Sequence, residues 1–76
     1  MTPVMVIAKT FLDAVHYLES SHKGTSKAAL RFITHGDQFR GLRGLDVYLL
    51  RSGWARKDIE LILSAAKHSG VNVVEV

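Results

Sequence analysis

The connector spanning residues 35–45 constrains the fold more than any other stretch of this chain. It joins two strand-like runs, residues 28–34 and 47–50, and hairpin loops are dominated by lengths of about 2–5 residues. A connector this long suits a crossover that carries the chain over one face of a sheet and lays the next strand in parallel. Its glycine- and arginine-rich stretch, running into the next strand, reads Gly36-Asp37-Gln38-Phe39-Arg40-Gly41-Leu42-Arg43-Gly44-Leu45-Asp46. Phe39 and Leu42, three apart, can anchor one helical turn within it.

Around this connector the pattern alternates. Val4-Met5-Val6-Ile7-Ala8 is a short continuous apolar run, as expected of a strand buried on both faces, with Pro3 at its edge. Thr10 reads as a helix N-cap with Asp13 at the capping-box position, and Phe11, Ala14, Val15 and Leu18 form one apolar stripe reaching about residue 21. In the run at 28–34, Leu30 and Phe32 point to one face, Arg31 and Ile33 to the other. Residues 47–50 form the third strand, expected to be buried and broken by Ser52-Gly53. A second helix is expected over residues 55–69, with Ile59, Ile62, Leu63 and Ala66 inward and Gly70 at C′. Val71-Asn72-Val73-Val74-Glu75-Val76 is a final strand.

The resulting order predicts a single small α/β domain over residues 1–76, Rossmann-like, with four mostly parallel strands and two main helices. A ferredoxin-like α+β arrangement, in which strands two and three pair antiparallel, shares the element order and stays open. With 76 residues there is room for one core, and a chain of this size buries only about 60% of its unfolded surface. The 47% apolar content is too high for disorder, and a self-interface is one way to cover the surplus. No cysteine is present, so there is no disulfide or thiolate metal site. No run approaches a membrane span, and Met1-Thr2-Pro3-Val4 lacks the basic start of a signal peptide. A cytoplasmic location is expected. A net charge of +3 leans only slightly toward acidic partners.

Chemistry in a parallel sheet collects beyond the carboxyl ends of the strands. That rule nominates Lys9 and Thr10 after the first strand, His35 and Asp37 after the second, and Arg51 after the third, as ligand- or anion-binding residues. Arg56 and Lys57 join them because the expected helix start places two cations where free N–H groups already attract anions. Arg40 and Arg43, in the tandem Arg-Gly-Leu triplets, are the nucleic-acid candidates. Trp54 together with Val71 and Val73 of an edge-like last strand are the interface candidates.

No catalytic constellation accompanies them. His16, His22, His35 and His68 make no i, i+4 metal pair. Ser52 lacks the G-x-S-x-G setting of a nucleophile elbow, and Tyr17, Tyr48 and Trp54 are too dispersed to argue a stacking platform. The sequence implies no cofactor and no metal.

Arg40-Gly41-Leu42-Arg43-Gly44-Leu45-Asp46 followed by Val47-Tyr48-Leu49-Leu50 resembles the approach to the Walker B strand of phage and helicase-type P-loop NTPases, with Lys9-Thr10 similar to the end of a Walker A loop. The resemblance covers about a third of the chain and implies a trimmed Rossmann-like core, as in a small phage-like accessory protein. The chain departs from that family at both catalytic positions. No Gly-rich loop precedes Lys9, and Arg51 stands where the family carries its magnesium-binding acid. The expected function is thus a non-enzymatic interaction module that self-associates, as a homo-oligomer, and binds a protein partner. The alternative is a binder of a phosphate-bearing ligand or nucleic acid at the strand carboxyl rim.

Overall fold

The computed structural model describes residues 3–76. Met1 and Thr2, on which part of the signal-peptide reading rests, lie outside the described residues. The four strands, β1 (Val4–Ile7), β2 (Leu30–Phe32), β3 (Asp46–Leu49) and β4 (Asn72–Glu75), form one sheet in the order β2-β1-β3-β4. Every adjacent pair is parallel. The chain is therefore a small Rossmann-like α/β domain. The ferredoxin-like alternative, which requires an antiparallel pairing of β2 with β3, is ruled out: those strands are not neighbours.

Strand alternation sorts side chains into two core layers. Val4, Val6, Ala8 and Leu30 pack with Ala14, Val15 and Leu18 of helix α1 (Phe11–Ser21) on one face. Met5, Ile7, Val47 and Leu49 pack on the other with Ile33, Phe39 and Ile59, Ile62 and Ala66 of helix α2 (Ile59–Ser69). β1 is central and covered on both sides, so all four of its residues are buried, which explains its unbroken apolar run. The expected helical turn in the connector is a 3-10 turn over Gly36–Phe39. Phe39 is fully buried and Leu42 is packed against the same layer. Burying a side chain of that size contributes about 2–3 kcal/mol.

The helix ends obey local chemistry. Thr10 Oγ1 accepts from the Asp13 N–H at 3.2 Å, as the cap requires. Gly70 closes α2 in the left-handed conformation, φ 75°, while the Val71 N–H reaches back to the Ala66 carbonyl in a Schellman-type turn.

Several expected boundaries move. Residues 28 and 29 belong to a 3-10 turn (Lys27–Ala29) capped by Ser26, which shortens β2. Phe11, expected in the buried stripe, is 58% exposed and meets Phe32 edge-to-face. The largest correction concerns α2. It begins at Ile59, preceded by a 3-10 turn over Arg51–Ala55, so Arg56 and Lys57 stand before the helix and not in its first turn. The reason is a competing set of bonds for Arg56, described below. No helix among the described residues is long and apolar enough to cross a membrane.

Candidate functional site

Two places gather the residues singled out from the sequence: the carboxyl rim of the sheet and the outer edge of β4. The strand order reverses between β1 and β3, so the crevice beyond their carboxyl ends is the topological switch point. There the Lys9 N–H donates to Ser52 Oγ at 3.2 Å, tying the two rim segments together. Gly53 seats the turn on the strands. A Cβ at that position would lie 2.9 Å from the Ile7 carbonyl oxygen and from Leu49 Cδ1, so only glycine allows this approach. Lys9, Thr10 and Arg51 are exposed around this junction, and Trp54 beside it is 52% exposed.

Arg56 is committed elsewhere. Its side chain is only 11% exposed, and its guanidinium donates to the carbonyls of Ala8 at 3.2 Å, of Ile33, and of Thr34 at 3.4 Å. It also grips Asp58 through two bonds, Nε to Oδ1 at 2.9 Å and Nη2 to Oδ2 at 3.1 Å, and lies over the Phe32 ring. Arg56 therefore closes the carboxyl ends of β1 and β2 with fixed, charge-assisted bonds, and its donors are engaged within the chain. The hydrogen bonds from Arg56 hold the Asp58 carboxyl below the ordinary carboxylate range, with a smaller contribution from the charge of His35. With its oxygens taken by Arg56, Asp58 makes no side-chain cap at α2. Lys57 is exposed beside it.

His35 and Asp37 diverge. Asp37 faces Arg40 across an exposed ion pair of 3.7 Å, while His35 stands at the N-cap of the 3-10 turn. Gln38, which sequence reasoning passed over, organises this loop. Its Oε1 accepts from the backbone of Thr34 and His35 and from the Thr34 hydroxyl, and its Nε2 donates to the Phe32 carbonyl at 3.1 Å. The N-cap of this turn is His35 and Gln38 stands at its N3 position, where a Gln closes a capping box, but His35 is not the Ser or Thr that makes such a box visible in sequence. Arg43 sits at the opposite end of the sheet, its stem against Gly70, so it does not join the rim cations. Among the described residues no three His, Cys, Asp or Glu side chains converge to hold a metal.

At the amino end of the strands a cavity of about 280 Å³ opens between Pro3, Val4, His22, Asp46 and Tyr48. Tyr17, His22 and Tyr48 pack ring against ring beside it, with His22 Nε2 and the Tyr17 hydroxyl 3.2 Å apart. Burial, and then the neighbouring Tyr48, push the Tyr17 hydroxyl up from its usual range.

The second place is β4. It pairs with β3 alone, in the register Asp46↔Asn72 to Leu49↔Glu75. The N–H groups of Asn72 and Val76 donate to Leu45 and Leu49. By strand alternation the N–H and C=O groups of Val73 and Glu75 turn away from the sheet, and among the described residues they meet no partner. Val71 and Val73 lean on the α2 layer. Val74 belongs to neither core layer and lies half-buried on the α1 side of the sheet, while α1 packs chiefly over β1 and β2.

No protein-family model, no curated protein and no solved structure matches this chain.

Proposed function

We propose that this chain is a non-enzymatic interaction module that self-associates through the outer edge of β4 and presents the assembled domain to a protein partner. One observation carries this reading: β4 combines outward backbone groups that meet no partner among the described residues with β-branched apolar side chains, the combination that invites another strand. The chain's small size adds to the drive, because a short chain retains proportionately more exposed apolar surface. A small accessory protein of phage type, the role suggested by the resemblance of residues 40–50, fits a module of this kind, and a cytoplasmic setting suits a chain without cysteine.

Light scattering coupled to sedimentation over a range of protein concentrations tests it. The expected result is a dimer or larger closed assembly at concentrations on the order of micromolar, retained at high salt. A folded monomer throughout that range would overturn the proposal.

A second reading has one observation in its favour, the Lys9–Ser52 bond that gathers Lys9, Thr10, Arg51 and exposed Trp54 at the switch point. It makes that rim a site for a phosphate-bearing ligand. Salt separates the two readings, since phosphate contacts weaken steeply with ionic strength and an apolar strand interface does not.

A further inference from the structure

The register of the β4 edge can be taken one step further, resting on the self-association reading above. We infer that β4 pairs antiparallel with β4 of a second copy of this chain about a two-fold axis passing beside Val74, joining two four-stranded sheets into one. The groups that must be satisfied are known: the N–H and C=O of Val73 and of Glu75 face outward, because Asn72 and Val76 face β3. In an antiparallel pair, the residues that exchange both hydrogen bonds are those whose N–H and C=O both point at the partner.

Three symmetric registers put outward residues opposite one another. Placing Glu75 against Glu75 of the second copy sets like charges face to face and is disfavoured. Placing Val73 against Val73 of the second copy brings Glu75 opposite Val71, whose N–H is already spent on the Ala66 carbonyl, so the Glu75 carbonyl goes unpaired. Only the third register, Val73 opposite Glu75 of the second copy and Glu75 opposite its Val73, satisfies all the outward groups of both strands.

This register sets Val74 against Val74 of the second copy at a close, non-hydrogen-bonded position. That buries the one β4 valine that packs into neither core layer. Charge agrees as well. Antiparallel alignment carries Glu75 of each copy toward the amino end of the other strand, where the Arg43 stem lies against Gly70. A second copy is therefore the occupant that fits this edge in both hydrogen bonding and charge.

The absence of native cysteine permits a direct test by mild oxidation of single-cysteine variants. Facing Cα atoms at a non-hydrogen-bonded pair are about 4.5 Å apart, within the span of a disulfide. Val74→Cys should convert most of the protein to a covalent species of twice the 8.4 kDa chain mass. Asn72→Cys alone and Val76→Cys alone should not, because like positions are then offset by about 13 Å along the strand. A mixture of Asn72→Cys and Val76→Cys should cross-link, since those positions face each other, and this arm does not depend on how Val74→Cys folds. A dimeric wild type that cross-links through neither arm, or through Val73→Cys in preference to Val74→Cys, overturns the register while leaving self-association standing. A wild type that stays monomeric at every concentration overturns both.

Discussion

The sheet has two edges, and they are finished differently. At β2, Ile33 donates to Val6, so alternation turns Leu30 and Phe32 outward. Their carbonyls are nevertheless occupied: Leu30 accepts from the Arg31 guanidinium at 3.1 Å and Phe32 from Gln38 Nε2. The Leu30 N–H closes the preceding 3-10 turn on Lys27. β2 is also the shorter strand and carries an exposed arginine at its midpoint. At β4 the outward groups of Val73 and Glu75 have no such partners among the described residues, and half of the strand is valine. The difference teaches that an edge is protected by local side chains that take up its backbone groups, not by position alone. At the β2 edge all the outward groups but the Phe32 N–H are taken up within the chain; at the β4 edge, among the described residues, they are not.

The severest way to break the comparison is to remove the strand from which β4 hangs. Leu49 is 2% exposed and lies in register between Ile7 and Glu75. Leu49→Asp buries an unpaired carboxylate at a cost of several kcal/mol, against a total stability on the order of 5 kcal/mol for a domain this small. The variant should not fold, and native circular dichroism from soluble protein would contradict the assignment of β3 to the core.

Next in size is the closure of the β2 side. Arg56→Ala strips donors from the Ala8, Ile33 and Thr34 carbonyls and leaves Asp58 without its partner. It should cost about 2–3 kcal/mol, read as a lowered midpoint in urea unfolding. An unchanged midpoint would mean that these bonds are replaced by water without loss.

The β4 edge is sharpened by two neighbouring valines that face opposite ways. Val73 leans on the core, so Val73→Lys should destabilise the chain itself by about 1–3 kcal/mol. Val74→Lys should leave unfolding within about 1 kcal/mol of wild type yet reduce the assembly to monomer. Equal effects of the two on folding would show that Val74 is a core residue after all.

The smallest effect is one of pH. The Asp58 carboxyl titrates below its ordinary value because Arg56 hydrogen-bonds its charged form. A group depressed in the folded state contributes stability that is fully present above its unfolded pKa, about 3.9, and is lost as pH falls through the lower folded value. Acid unfolding of Asp58→Asn should accordingly be flatter over that window than that of wild type. Parallel curves would show that the pair contributes nothing to folding.

Much of the fold was legible in the chain. The unbroken apolar runs of β1 and β3, the Thr10 cap, Gly70 at the end of α2 and the long connector are all local or periodic signals, and each corresponds to a feature of the folded domain. The site was less legible. Arg56 reads in sequence as a free cation at a helix start, because nothing in linear spacing shows that the Ala8 and Ile33 carbonyls will converge on it. His35 and Asp37, neighbours in the chain, part company because the 3-10 turn sends Asp37 toward Arg40.

Sequence by itself determined the element types, the α/β class and which side of each strand is apolar, since these follow from backbone propensity and from periods of 2 and 3.6 residues. Tertiary structure alone decided the strand order β2-β1-β3-β4, and with it which strands became edges. Strand order depends on long-range pairings that local periodicity does not encode. The fates of the Leu30 and Phe32 carbonyls at one edge and the Val73 and Glu75 groups at the other depend on those same pairings, and on where Arg31 and Gln38 come to rest beside them.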